Sequence, residues 1–88
     1  MITPTIGRVV WYTPHESEGL TDDKSQPLAA MVCYVHNQEL VNLVVHDANG
    51  HSYSKTSITL FQGDATECPA GSCCWMPYQQ AQAKKEAA

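Results

Sequence analysis

Apolar and polar residues alternate along this chain in short runs that read as β-strands divided by turns. The clearest stretch is Pro27 to Ser54. Two apolar runs, Leu28 to Val35 and Leu40 to Val45, flank the polar group His36-Asn37-Gln38-Glu39. That pattern predicts two strands and a short turn. The second run leads into Asp47-Ala48-Asn49-Gly50. Asn-Gly is a strong hairpin signal because both residues tolerate positive φ, so a further strand is predicted from His51. Together these make a three-stranded antiparallel meander. Val41, Leu43 and Val45 share one face and are assigned to the core. The run from Leu28 is apolar on both faces: Leu28, Ala30, Val32 and Tyr34 alternate with Ala29, Met31, Cys33 and Val35. A strand of that kind is expected to be covered on both sides.

The remaining segments extend the meander. Ile6 to Tyr12 reads as a first strand, bounded by Pro4 and Pro14. Ile6, Arg8, Val10 and Tyr12 fall on one face; Gly7, Val9 and Trp11 fall on the other. Thr13 to Gln26 is a polar loop with four acids, Glu16, Glu18, Asp22 and Asp23, which read as solvated. The fourth strand, His51 to Leu60, is polar at Ser54-Lys55-Thr56-Ser57 and is expected to be interrupted there. Phe61 to Ala70 is a turn-rich link. Gly71 to Tyr78 reads as a fifth strand that closes a barrel. Gln79 to Ala88 holds helix formers without an apolar stripe, which predicts a frayed helix or a disordered tail.

The expected fold is therefore all-β: a small five-stranded SH3-like barrel or roll of antiparallel strands. Residues 1–78 form the single domain and 79–88 a C-terminal tail. Closure removes the exposed edges that a lone meander would present.

Composition narrows the class of partner. Hydrophobic residues make up 43% of the 88 positions and charged ones 16%, a globular rather than a disordered balance. So short a chain buries a small core, and self-association is a common remedy. The formal charge is −4, from nine acids against five bases, and two of the bases, Lys84 and Lys85, sit in the tail. That argues against duplex nucleic acid as a partner but leaves room for a small anion held by one or two cations. No apolar run approaches membrane-spanning length, and Met1-Ile2-Thr3-Pro4 lacks the features of a signal peptide. A cytoplasmic setting is expected, with Cys33, Cys68, Cys73 and Cys74 as thiols.

Candidate chemistry is sparse. Cys68-x4-Cys73-Cys74 offers a single knuckle, where zinc sites normally use separated pairs. No cofactor or metal is assigned, and the cysteines stay open between free, bridged and metal-bound; a Cys68–Cys73 bridge is one option on purification. A cysteine nucleophile needs a base within reach, and nothing in the spacing selects one among His15, His36, His46 and His51. No standard phosphate-cradling glycine loop is present. The chain is not expected to be an enzyme. The aromatic set is heavier than a small core requires. Arg8 lies four residues before Tyr12, and a last strand beside the first brings Trp75 near Trp11 or Tyr12. An arginine beside exposed aromatics clamps a phosphate and stacks a base. The candidate ligand site is thus Arg8, Trp11, Tyr12 and Trp75, with Lys55 as a second anion contact. The bland readings are core aromatics, a surface arginine and an edge-strand lysine.

Thr3-Pro4-x-Ile6-Gly7-Arg8-Val9-Val10-x-Tyr12, then Pro27-Leu28-Ala29-Ala30-Met31-Val32, Leu43-Val44-Val45, Asn49-Gly50 and a terminal Gly-x-x-x-Trp-x-Pro form a recognisable order. It resembles a family of small tailed-phage and prophage accessory proteins, over most of residues 3–78. Members often read GRIVHY, then AAIV, then PGTWHWP. This chain has Ser72-Cys73-Cys74-Trp75-Met76-Pro77 at the last motif, so cysteines replace the first tryptophan and the histidine. The resemblance implies an intracellular accessory protein and no particular activity. Such proteins commonly act by binding. The expected function is counter-defence: sequestering a small anionic nucleotide signal in a pocket between subunits of a homo-oligomer. The alternative is a module that docks on a host or virion protein.

Overall fold

The computed structural model describes residues 1–19 and 26–87. Five strands close in chain order: β1 (Val9–Thr13), β2 (Leu28–Asn37), β3 (Leu40–His46), β4 (Ser52–Phe61) and β5 (Ser72–Cys74). A helix, α1 (Pro77–Ala87), follows. The expected all-β, five-stranded barrel is the observed architecture. It departs in one respect from an all-antiparallel arrangement: β4 and β5 run parallel, with Leu60 beside Cys73 and Phe61 beside Cys74. The other four seams are antiparallel. A closed ring with an odd number of strands cannot alternate direction at every seam, so one parallel pair follows from closure itself. The link from β4 to β5 supplies the crossover. It contains a 3-10 turn at Ala65–Glu67, started by Asp64 accepting from the Thr66 N–H at 2.9 Å.

One face of each strand fills the barrel. Val10 and Tyr12 from β1, Leu28, Ala30 and Val32 from β2, and Val41, Leu43 and Val45 from β3 meet Leu60, Cys73 and Trp75. The β3 assignment is as read from the alternation. The cover expected on both sides of β2 is absent: Ala29, Met31 and Cys33 are exposed. Apolar residues on the outer face gave the sequence the look of a doubly buried strand, although only the inner row packs.

Local chemistry sets the turns and ends. The meander turns at Asp47–Gly50, where Gly50 alone takes a positive φ, of 84°. Asp47 Oδ1 accepts from the N–H groups of Asn49 and His51, both at 2.9 Å. The interruption expected in the fourth strand is a bulge. Val41 pairs with Ile58 and Leu43 with Lys55, so β4 spends one residue more than β3 between those pairs. Ser57 sits in it at φ 53°, and its N–H is taken by Asn42 Oδ1 at 2.8 Å.

The first strand starts later than expected. Ile6-Gly7 forms a turn, although Gly7 N–H still donates to Val32 O at 2.8 Å. The tail is a helix that begins at Pro77, two residues before the expected boundary. Proline is suited to the first helical position, and Gln79 reaches back to accept the Met76 N–H at 2.8 Å. Its amide also donates to Val9 O at 2.8 Å, which ties the first turn to β1. Among the described residues, no helix is long and apolar enough to cross a membrane.

Candidate functional site

The five residues singled out from the sequence separate into three places. Strand alternation carries Val10 and Tyr12 inward together, but inward is the core. Arg8 lies at one end of the barrel, exposed, with its guanidinium carbon 5.7 Å from the centroid of the Trp75 ring. Trp75 itself is fully buried, and its Nε1–H donates to Gln62 Oε1 at 3.2 Å. Trp11 faces outward and is half-buried beside Cys74 and Ala29.

Tyr12 and Lys55 are at the other end of the barrel, joined through Glu18. The Tyr12 hydroxyl donates to Glu18 Oε2 at 2.9 Å, and Lys55 Nζ lies 2.5 Å from Glu18 Oε1. The 3-10 turn Glu16–Glu18 brings the carboxylate there, and the His15 N–H donates to Oε2 at 2.7 Å. Arg8, just before β1, and Tyr12 within it are four residues apart along extended chain, or about 13 Å. A phosphate at Arg8 and a base on Tyr12 of the same subunit would not belong to one small ligand in the way the sequence suggested. The structure brings together Arg8 with Trp75, and Tyr12 with Lys55, and does not join the two pairs.

Electrostatics follow the same division. Burial pushes the Tyr12 phenol up, reinforced by its hydrogen bond to the Glu18 carboxylate. Burial works against the charge on Glu18, but Lys55, the His15 N–H and Tyr12 outweigh it and hold the carboxyl below its ordinary value. Lys55 is therefore a structural cation, not the free anion contact or exposed edge lysine expected. Glu18 is likewise a structural acid, not a solvated one. The rest of the loop reading, at Asp22 and Asp23, lies outside the described residues. Gln62 also escaped notice. Its side chain binds Ile2 N and O at 3.1 and 2.9 Å, Gln38 O at 2.9 Å, and the Trp75 indole. A single glutamine in a turn-rich link carries no sequence signal for such a role.

An apolar face left on the surface is the outer wall of β1, β2 and β3. Register places Val9 beside Met31 and Met31 beside Val44 in one row, and Trp11 beside Ala29 beside His46 in the next. Val9 is 43% exposed and Met31 39%. None of these six residues is an acid, a lysine or an arginine. Tyr53 on β4 and Tyr34 on β2 are also exposed. The hollow of about 330 Å³ near Pro27, Leu28, His46 and Asp47 involves none of the five sequence candidates.

Three of the four histidines are engaged with polar neighbours. His36 shares a hydrogen bond with Asn42 Oδ1 and His46 with Ser52 Oγ, both at 3.0 Å, and His51 Nδ1 lies 3.7 Å from Asp47 Oδ2. Among the described residues, no group of three or more cysteine, histidine or acidic side chains is placed to hold a metal ion. The fold and its surfaces define a small mixed β-barrel with an apolar outer wall. Compared with known proteins, the chain matches no family model, no curated protein and no solved structure.

Proposed function

We propose that this chain is a non-enzymatic accessory protein of the phage kind that works by binding, and that its working surface is the outer wall of β1–β3, seated against a second copy of itself. One observation carries the reading: the row Val9, Met31, Val44 is apolar, uncharged and outside a core that is already complete. A net charge of −4 opposes the approach of two copies in general. A face with no fixed charge is where that repulsion costs least. A standard interface takes about 800 Å² from each partner. Against a total surface of 5487 Å², that is roughly a seventh.

Sequestration of a small anionic nucleotide signal is the second reading, favoured by Arg8. Its guanidinium is exposed over the Trp75 ring, and among the described residues no carboxylate pairs with it. Because Arg8 and Trp11 face different ways in one subunit, a clamp using both draws them from two subunits.

Native mass spectrometry over a concentration series, with and without cyclic nucleotides and cyclic ADP-ribose, tests both. A defined oligomer that Met31→Lys returns to monomer is expected. A monomer at every concentration overturns the self-association. Ligand mass at integral stoichiometry, lost in Arg8→Ala, supports sequestration; a bare oligomer supports docking alone.

A further inference from the structure

Alternation on β5 turns its two cysteines opposite ways. Cys73 points into the core, where its thiol donates to Thr59 O at 3.6 Å. Cys74 faces outward yet is only 1% exposed, because the link from β4 folds back over it. Cys68, in that link, lies against it. Its Sγ is partly exposed, lies 3.6 Å from Ser72 O, and is within hydrogen-bonding reach of the Cys74 thiol and of Thr13. The bridge considered from sequence, Cys68 to Cys73, is thus the wrong pairing: a core-facing Cys73 is on the far side of the strand.

We propose that Cys68 and Cys74 form a reactive dithiol site, in which Cys68 is the thiol attacked from solvent and Cys74 the buried thiol that resolves the product. The co-reactant is a low-molecular-weight disulfide such as glutathione disulfide. Cys68 thiolate attacks one sulfur of it, forming a mixed disulfide and releasing one small thiolate. The Cys74 thiol then gives up its proton and attacks Cys68 Sγ, and the second small thiolate leaves with that proton. Two protein thiols and one small disulfide become one protein disulfide and two small thiols. The roles follow from position: Cys68 is reachable and Cys74 is not. Protonation agrees with them. The hydrogen bond from Cys74 favours the Cys68 thiolate and lowers it to about 7, while the same bond and burial push Cys74 up. Cys33 is the built-in comparison, an exposed thiol 3.6 Å from the Met31 carbonyl oxygen.

The site adjoins the outer wall at Trp11, the register partner of Cys74, but does not depend on self-association and is tested separately. The folded, reduced full chain is treated with glutathione disulfide across pH 6 to 9 (values of about the ordinary thiol range) and mapped by peptide mass spectrometry. The expected product links the Cys68 and Cys74 peptides within one chain. At pH 7, Cys68 is expected to react about threefold faster than an unperturbed thiol, its larger thiolate fraction being partly offset by lower nucleophilicity. Cys74→Ser should stop at the glutathione adduct on Cys68, and Cys68→Ser should leave Cys74 unmodified while circular dichroism confirms the fold. Bridging through Cys33 or Cys73, or attack at Cys33 ahead of Cys68, would overturn the proposal.

Discussion

The inner and outer walls of β1–β3 are built from similar residues and meet opposite fates. Inside, Val10, Val32, Val41 and Val45 are almost wholly removed from water. Outside, Val9 and Met31 on the same strands remain substantially exposed. Burying a side chain of this size contributes about 1.5–3 kcal/mol, so the inner row accounts for much of what holds so small a domain together. The outer row gains little from folding. Apolar residues that the fold does not need are better explained by something the folded protein touches.

Substitutions should separate the two walls. The largest effect is expected at Trp75, where truncation to alanine empties the centre of the core. A loss of about 3–5 kcal/mol, comparable with the stability of a small domain, is expected in urea unfolding. Met31→Lys on the outer wall should change unfolding by no more than about 0.5 kcal/mol. The same variant should abolish self-association in sedimentation velocity. An unfolded Met31→Lys would break the distinction, because it would make the outer wall structural.

The Tyr12 end of the barrel gives an intermediate case. Glu18→Gln removes the ion pair with Lys55 and weakens the Tyr12 bond, with an expected cost of about 1 kcal/mol at pH 7. Glu18 is held below its ordinary value, so its contribution is fully present above the unfolded carboxyl value of 4.5 and lost as pH falls through the folded one. The acid limb of a stability–pH profile below pH 4.5 should therefore be shallower in Glu18→Gln than in the wild type. At the helix start, Gln79→Ala should cost less, about 0.5–1 kcal/mol, and loosen α1 in hydrogen exchange without disturbing the barrel.

The meander, the core face of β3 and closure by a fifth strand were legible because period-2 alternation and turn residues are local signals. The Asp47–Gly50 turn announced itself for the same reason. Which face of β2 is buried was not legible, since Leu28, Ala30 and Val32 look no more apolar than Ala29, Met31 and Cys33. The parallel β4–β5 seam follows from counting strands in a closed ring, an argument available only once closure is known. The candidate site was less legible still. Tyr12 and Trp75 are core residues while Arg8 is exposed at the barrel's end, and sequence spacing does not reveal that the face alternation gives Arg8 and Tyr12 is the interior at Tyr12. Glu18, Gln62 and the Cys68–Cys74 contact depend on long-range placement and leave no local trace. Helix formation at Pro77 was missed because its cap, Gln79 reaching back to Met76, lies across the expected domain boundary.

The most direct test of the outer-wall account is oxidative footprinting of methionine as the protein is diluted. Met1 is 77% exposed and serves as the internal reference for Met31. The account predicts that Met31 is protected relative to Met1 in concentrated protein and becomes reactive on dilution, in step with dissociation. A Met31 to Met1 ratio that stays constant across an observed change of oligomeric state, or across a wide concentration range without one, would contradict it.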